Sequence, residues 1–377
     1  MIEPGALVGA LRAAGVDFFT GVPDSLLKDF YNYVLEQVGP EHDLVAANEG
    51  AALGLATGHH LATGGVALVY LQNSGLGNLV NPLTSLVDPK VYGIPVLLLV
   101  GWRGEPGVKD EPQHVQQGAV TLPLLETLGI PFRHLPASAS GLDQEVLSAV
   151  QLARERSGPV ALIARHGTFS KYSRTGGLPD ETAGWMSRES AIGRILEAVE
   201  PEAALVCTTG MASRELYELR ECRGEGHGRD FLTVGSMGHA LAIGMGLARA
   251  RPQRPVYVLD GDGALLMHLG SLAVAGQRGT ANLKHVVLNN GAHDSVGGQP
   301  TVALALDLPA VAAACGYRWQ ARVETEEALG PVLEQWRSSP GPAFLEIRVR
   351  RGARPNLGRP TTSPRENKAA FMRFFEV

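Results

Sequence analysis

The sequence predicts an α/β protein built from two doubly wound, mostly parallel-sheet domains. Three observations lead there. Short apolar runs alternate with helical stretches from residue 1 to about 165, the same alternation resumes after about 190, and a polar stretch without apolar periodicity separates the two.

In the first half the pattern predicts a helix near 4–14, a strand at Val16–Thr20, a helix from Ser25 to about Gln37 and a strand at Leu44–Ala47. A helix through Ala51–Ala62 and strands at Val66–Leu71 and Val96–Val100 follow. Residues 167–188 are rich in Ser, Thr, Gly and charge and form the best linker, leaving domains at 1–166 and 189–377. In the second half the strands expected are Ala204–Cys207, Phe231–Val234, Val256–Leu259 and Leu283–Leu288, with helices at Ala240–Ala248 and from about Leu265 to Gly279.

At 377 residues the chain can bury two ordinary cores. Its longest apolar run, around Ile94–Val100, is too short to span a bilayer, and Met1–Val16 lacks the basic start and long apolar core of a secretory signal, so no membrane partner and a cytoplasmic location are expected. Cys207, Cys222 and Cys315 are odd in number and widely spaced, which argues against a disulfide framework or zinc cluster. A net charge of -5 without a dense basic run leaves no electrostatic footprint for nucleic acid.

Residues 255–299 are the most informative. Two β-branched apolar runs, Val256–Leu259 and Val286–Leu288, each end in polar oxygens, and a helix between them makes a right-handed crossover. Both strands then finish at one sheet edge, bringing Asp262 and Asn290 together. A carboxylate and an amide oxygen suit Mg2+ or Ca2+, and a Mg2+ site this sparse in protein ligands implies a phosphorylated partner. Gly261 and Gly263 let backbone amides approach a diphosphate at the start of the following helix.

Gly261-Asp262-Gly263, twenty-five intervening residues and Asn289-Asn290 resemble the metal and diphosphate motif of thiamine-diphosphate enzymes. The resemblance covers most of the chain and implies a pyrimidine-binding domain followed by a diphosphate-binding domain. It also implies thiamine diphosphate and Mg2+ as cofactors. Larger decarboxylases of the family carry a middle domain, for which some twenty linker residues leave no room; this points to the compact subgroup that acts on phosphonate or sulfonate analogues of oxaloacetate.

Residue by residue, the resemblance implies that Glu49, at the head of a Gly/Ala-rich helix, hydrogen-bonds the aminopyrimidine ring and favours the form that deprotonates the thiazolium carbon. Read alone, Glu49 is equally an N-terminal acid favoured by the helix dipole. The resemblance further implies cofactor contacts from Thr209, Gly210 and Met211, from Gly235, Ser236 and Met237, and from Gly261, Asp262, Gly263, Ala264 and Asn290. Gly235 would offer a carbonyl and Met237 an apolar support, although Met237 as core filler is the rival reading. The metal ligands implied are Asp262, Asn290 and the backbone oxygen of Ala292.

Three stretches bear on the substrate, which the resemblance implies is a small anionic 2-oxo acid. Gly21–Lys28 is a turn into a helix where Ser25 and Lys28 can hold an anionic tail; Asp24 there is also readable as a simple N-cap. The polar loop Lys109–Gly118 carries His114 and Gln117, and Asn290–Gln299 carries His293, two histidines suited to proton transfer near neutral pH. Arg351, Arg354 and Arg359 are possible anion partners or solvated surface charges. In this family Glu49 of one subunit meets the diphosphate domain of another, so a homodimer or higher homo-oligomer with active sites between subunits is implied. Rival classes are a carboligating synthase, a noncatalytic cofactor-binding protein, and a nucleotide-binding oxidoreductase. The second expects damage at Glu49 or Asp262, and the third a Gly-x-Gly-x-x-Gly turn after the first strand; the chain has neither.

Overall fold

The computed structural model describes residues 1–175 and 181–376, so the stretch 176–180 of the expected linker lies outside the described residues. The chain divides into two compact units, Met1–Leu178 and Pro179–Val377.

Unit 1 holds six strands: β1 (Phe18–Gly21), β2 (Asp43–Val45), β3 (Ala67–Gln72), β4 (Val96–Gly101), β5 (Phe132–His134) and β6 (Pro159–Ala164). They form one parallel sheet in the order β2-β1-β3-β4-β6-β5. The apolar runs are continuous because both faces are covered. Leu68, Tyr70, Leu97, Leu99, Val160 and Leu162 face one core, and Val69, Leu71, Leu98, Val100, Ala161 and Ile163 the other.

Unit 2 repeats the plan with β7 (Ala204–Cys207), β8 (Asp230–Leu232), β9 (Val256–Gly261), β10 (Leu283–Asn289), a small antiparallel pair β11 (Ala292–His293) and β12 (Gln299–Pro300), then β13 (Trp319–Val323) and β14 (Ala343–Arg348). The main sheet is parallel, ordered β13-β14-β10-β9-β7-β8. Tyr257, Leu259, Val286 and Leu288 face one core; Val256, Val258, Leu283 and Val287 face the other. No helix among the described residues is long and apolar enough to cross a membrane.

Three local expectations change. The helix expected from Ser25 begins at Lys28, with Leu27 at its N-cap and no side-chain cap; Asp24 instead accepts the amide of Leu26 at 3.1 Å and closes a turn before the helix. The stretch expected as a loop at Lys109–Gly118 is helical from Pro112, which sits in the first turn where its missing N–H costs nothing. The single helix expected from Leu265 to Gly279 is two, Asp262–Met267 and Ser271–Arg278, broken at His268, whose φ of -132° and ψ of 46° leave the helical region.

Candidate active site

In a parallel sheet every strand delivers its following residue to the same edge, and in doubly wound folds that edge holds the ligand. In unit 1 this edge gathers Asp24 and Ser25 after β1, Glu49 after β2, Asn73 and Gly75 after β3, and Arg103 after β4.

Glu49 opens the helix Glu49–Thr63, whose N-cap Asn48 accepts the amide of Ala51 at 2.9 Å. Its side chain is buried, and Oε2 accepts Nδ2–H of Asn78 at 2.7 Å. The carboxylate lies against Gly75, where an added Cβ would stand 2.2 Å from Oε1. Only glycine leaves this room.

Asp110 organises the neighbouring cluster. Its carboxylate accepts from Arg103 Nε at 2.8 Å and Nη2 at 2.5 Å, from the amides of Gly104 and Glu111 at 2.7 Å each, and from His114 Nδ1 at 2.9 Å. Burial works to raise its pKa, but the bonds from Arg103, His114 and the amides outweigh it and hold the carboxyl well below the usual range. Asp110 is therefore an acceptor, the hydrogen on His114 lies at Nδ1, and Nε2 is the atom left for other partners. Arg103 also donates from Nη1 to Ser25 Oγ at 2.6 Å. Gln117 donates to the carbonyl of Asn73 at 2.9 Å, and Asn73 bridges Arg103 O and Thr121 Oγ1 at 2.8 Å each.

Asp24 is 1% exposed, and its Oδ1 has no hydrogen-bond partner. Burial pushes its carboxyl up to about 7 against the opposing pull of Arg103. Lys28, by contrast, is exposed at the first position of its helix. The structure thus brings Asp24, Ser25, His114 and Gln117 into one network and leaves Lys28 at the surface. Arg103, Asp110 and Asn73 were not singled out from sequence; Pro112, a helix-start signal two residues after Asp110, could have placed that acid beside His114 at a spacing of four.

In unit 2, β9 and β10 pair in parallel with Leu288 opposite Gly261, so Asp262 and Asn290 follow on adjacent strands. Asp262 is 2% exposed and heads a short helix. Burial raises its carboxyl to about 7, against bonds from Thr301 Oγ1 (2.5 Å), its own amide and the amide of Asn290. The carboxamide of Asn290 donates from Nδ2 to Asp294 Oδ2 at 2.6 Å and accepts at Oδ1 from the amide of Ala292 at 3.0 Å. Asn289 is turned away, donating to buried Glu346 at 2.8 Å.

These residues fit a hard divalent ion. A deeply buried carboxyl short of positive charge, a carboxamide oxygen with a lone pair left over and the Ala292 carbonyl are oxygen donors of the kind Mg2+ takes, with water and phosphate completing the shell. Among the described residues no three His, Cys, Asp or Glu gather into an alternative metal cluster. Around this point Met211 starts the helix Met211–Cys222, preceded by Thr209 and by Gly210 at φ 96°. Gly235, Ser236 and Met237 follow β8, with Ser236 at φ 52°. Gly261 and Ala264 flank the buried acid, and Gly263 faces both His293 and Met237: a Cβ there would lie 2.7 Å from the imidazole and 3.4 Å from Met237 Cε. His293 is pushed down to about 4 by desolvation and is neutral near pH 7. Arg354 is paired with Glu189 at 3.1 Å and with Glu218, Arg351 donates to the carbonyl of Asn290 at 3.3 Å, and Arg359 is exposed.

Residues 5–122 match the thiamine pyrophosphate enzyme N-terminal TPP binding domain, and residues 208–347 match the C-terminal TPP binding domain of the same enzymes. Each sheet edge described above therefore lies in a domain of the class that binds this cofactor. The chain is 38% identical to the phosphonopyruvate decarboxylase of Streptomyces viridochromogenes, over 99% of this chain and 95% of the relative. It is 38% identical to the enzyme of the same name from Streptomyces hygroscopicus, over 99% and 94%. A sulfopyruvate decarboxylase from Methanosarcina acetivorans is 28% identical over 98% and 97%. The chain belongs to the phosphonopyruvate decarboxylase family of thiamine-diphosphate enzymes.

Proposed function

We infer that the protein catalyses the nonoxidative decarboxylation of 3-phosphonopyruvate to phosphonoacetaldehyde and carbon dioxide, a step that feeds phosphonate and phosphonate-antibiotic biosynthesis. The observation that carries this reading is full-length identity of 38% to two phosphonopyruvate decarboxylases, against 28% for the sulfopyruvate enzyme. Residues 1–166 serve as the pyrimidine-binding domain, 167–188 as linker and 189–377 as the diphosphate-binding domain. The working form is a cytoplasmic homodimer or higher homo-oligomer, with each active site shared between subunits.

When bound, thiamine diphosphate supplies the electron sink for the pair released with carbon dioxide. Glu49 holds a proton shared with the aminopyrimidine ring, its free rotation removed by Asn78 and the surface over Gly75. Asp262, Asn290 and the carbonyl of Ala292 hold Mg2+, and backbone amides at Gly261–Ala264 and Thr209–Met211 receive the diphosphate. Gly235 and Ser236 would offer polar backbone to the pyrimidine, and Met237, which lies over Gly263, would give the cofactor an apolar support. Asp24, Ser25, His114 and Gln117 receive the anionic substrate, with the exposed Lys28 contributing its charge from the surface outside that network. With hydrogens on both ring nitrogens, His114 delivers the proton from Nε2 to the carbon that loses carbon dioxide, while His293, neutral near pH 7, serves as a hydrogen-bonding group and not as the acid.

The deciding experiment supplies the purified protein with Mg2+, thiamine diphosphate and phosphonopyruvate, and follows aldehyde through a coupled reductase alongside released carbon dioxide. Sulfopyruvate runs as a competitor. A kcat/KM higher for sulfopyruvate than for phosphonopyruvate would transfer the assignment to the sulfonate enzyme.

A further inference from the structure

The carboxamide of Asn290 has two ends of different chemistry, and its surroundings select one orientation. Asp294 Oδ2 lies 2.6 Å from Nδ2. A carboxylate has no hydrogen to give, so only the NH2 end can face it, and Oδ1 is turned to the opposite side. There Oδ1 accepts one amide, from Ala292, and retains a second lone pair.

Asp294 is itself fixed. The same Oδ2 accepts Arg188 Nη1 at 2.9 Å and the amide of Gly352 at 3.0 Å. Arg188, 7% exposed, is forked onto Glu215, 2% exposed, through Nε at 2.7 Å and Nη2 at 3.0 Å, and Nη2 also reaches Gly352 O at 3.4 Å. The chain therefore ties the start of helix Arg188–Ala198, helix Met211–Cys222 and the turn after β14 to the turn after β11. Buried ionic chains of this sort often add little net stability over apolar packing.

We propose that Asp294, held by Arg188 and Glu215, is a positioning residue that aims Oδ1 of Asn290 at the metal ion. The proposal rests on the reading of Asn290 as a metal ligand. Partners one step removed from a metal commonly change its affinity by about 10- to 100-fold.

The test titrates the purified full-length protein with Mn2+ at saturating thiamine diphosphate, reading free Mn2+ by electron paramagnetic resonance, and records the unfolding midpoint in EDTA. Asp294→Ala is expected to weaken Mn2+ by about tenfold or more. Asp294→Asn keeps an oxygen for all three donors and is expected to stay within a few-fold of the parent. Should Asp294→Ala not fold, Glu215→Gln loosens Arg188 at constant volume and is expected to weaken Mn2+ several-fold without lowering the midpoint in proportion. Parent-like affinity in both Asp294→Ala and Glu215→Gln, with Asn290→Ala impaired, overturns the positioning role alone. So does an Asp294→Asn variant as weak as Asp294→Ala, because charge and not orientation would then be the cause. Parent-like affinity in Asn290→Ala removes Asn290 as a ligand, and the proposal with it.

Discussion

Asn78 donates its side-chain amide to Glu49 at 2.7 Å, from a helix that starts one residue beyond Gly75. The bond occupies Oε2, and the glycine surface carries Oε1, so the carboxyl is oriented before any ligand arrives. Glu49→Gln preserves shape and removes the shared proton. Turnover should fall by about 10²- to 10⁴-fold with cofactor affinity kept within a few-fold, as expected for loss of a positioned acid–base group. Gly75→Ala, whose methyl meets Oε1 at 2.2 Å, should reproduce much of that loss without touching an ionisable residue. Steady-state rates and thiamine diphosphate titrations of both variants decide the matter; parent-like turnover in Glu49→Gln would remove it from the mechanism.

Asp262 makes the complementary prediction for binding. Its carboxyl is costly to ionise where it lies, and a divalent cation offsets that cost, so metal and diphosphate should bind as one unit. Asp262→Ala should abolish the rise in unfolding midpoint that Mg2+ plus thiamine diphosphate gives the parent, since a ligand stabilises only the state that binds it. Apo-state midpoints should stay close, because the Ala variant also loses a buried acid. A full ligand-induced rise in the variant would show that the acid is not a ligand.

Much of this site is visible in the chain before folding because it depends on periodicity and local turns. Val256–Leu259 and Val286–Leu288 are short, β-branched and flanked by turn residues, as buried strands are, and parallel pairing then brings Asp262 and Asn290 to one edge. What stayed hidden depends on irregular closure. Thr301 reaches Asp262 from thirty-nine residues away through the β11–β12 hairpin. Arg188 meets Asp294 across 106 residues, and neither contact leaves a spacing to read. The break at His268 was hidden for another reason: apolar residues continue on both sides of it, and histidine carries no helix-breaking signal.

Asp110 should act through His114. With Arg103 and two amides fixing its carboxylate, it dictates which ring nitrogen carries the hydrogen. Asp110→Asn offers one acceptor oxygen in place of two, and its NH2 opposes the guanidinium in either orientation, at Nε from the Oδ2 position or at Nη2, together with the imidazole, from the Oδ1 position. Losing one charge-assisted bond, about 1.5–3 kcal/mol, predicts a drop in kcat of about 10- to 100-fold. Exposed Lys109→Ala is the neighbouring control and should change nothing. Nitrogen chemical shifts of the His114 ring in Asp110→Ala, which has no acceptor, give the direct readout: retention of the Nδ1–H form there would contradict the assignment.

Asp24 predicts a pH dependence of stability whose sign follows from burial. Its folded pKa is raised to about 7 chiefly by desolvation, whereas an unfolded aspartate titrates near ~3.9. Between those values the folded chain holds the proton more tightly than the unfolded one, so stability contributed by the neutral acid is complete below about pH 4 and lost as pH rises through 7. Asp43, raised to about 6 against Tyr31 and Tyr70, acts with the same sign but is common to parent and variant. Asp24→Asn does not titrate. Its unfolding free energy relative to the parent should therefore climb between pH 4 and 7 and level off above, by an amount on the order of a few kcal/mol. Denaturant midpoints across that range measure the difference. Parallel curves would mean that Arg103 keeps Asp24 ionised in the folded protein, and that the unpartnered Oδ1 carries a charge.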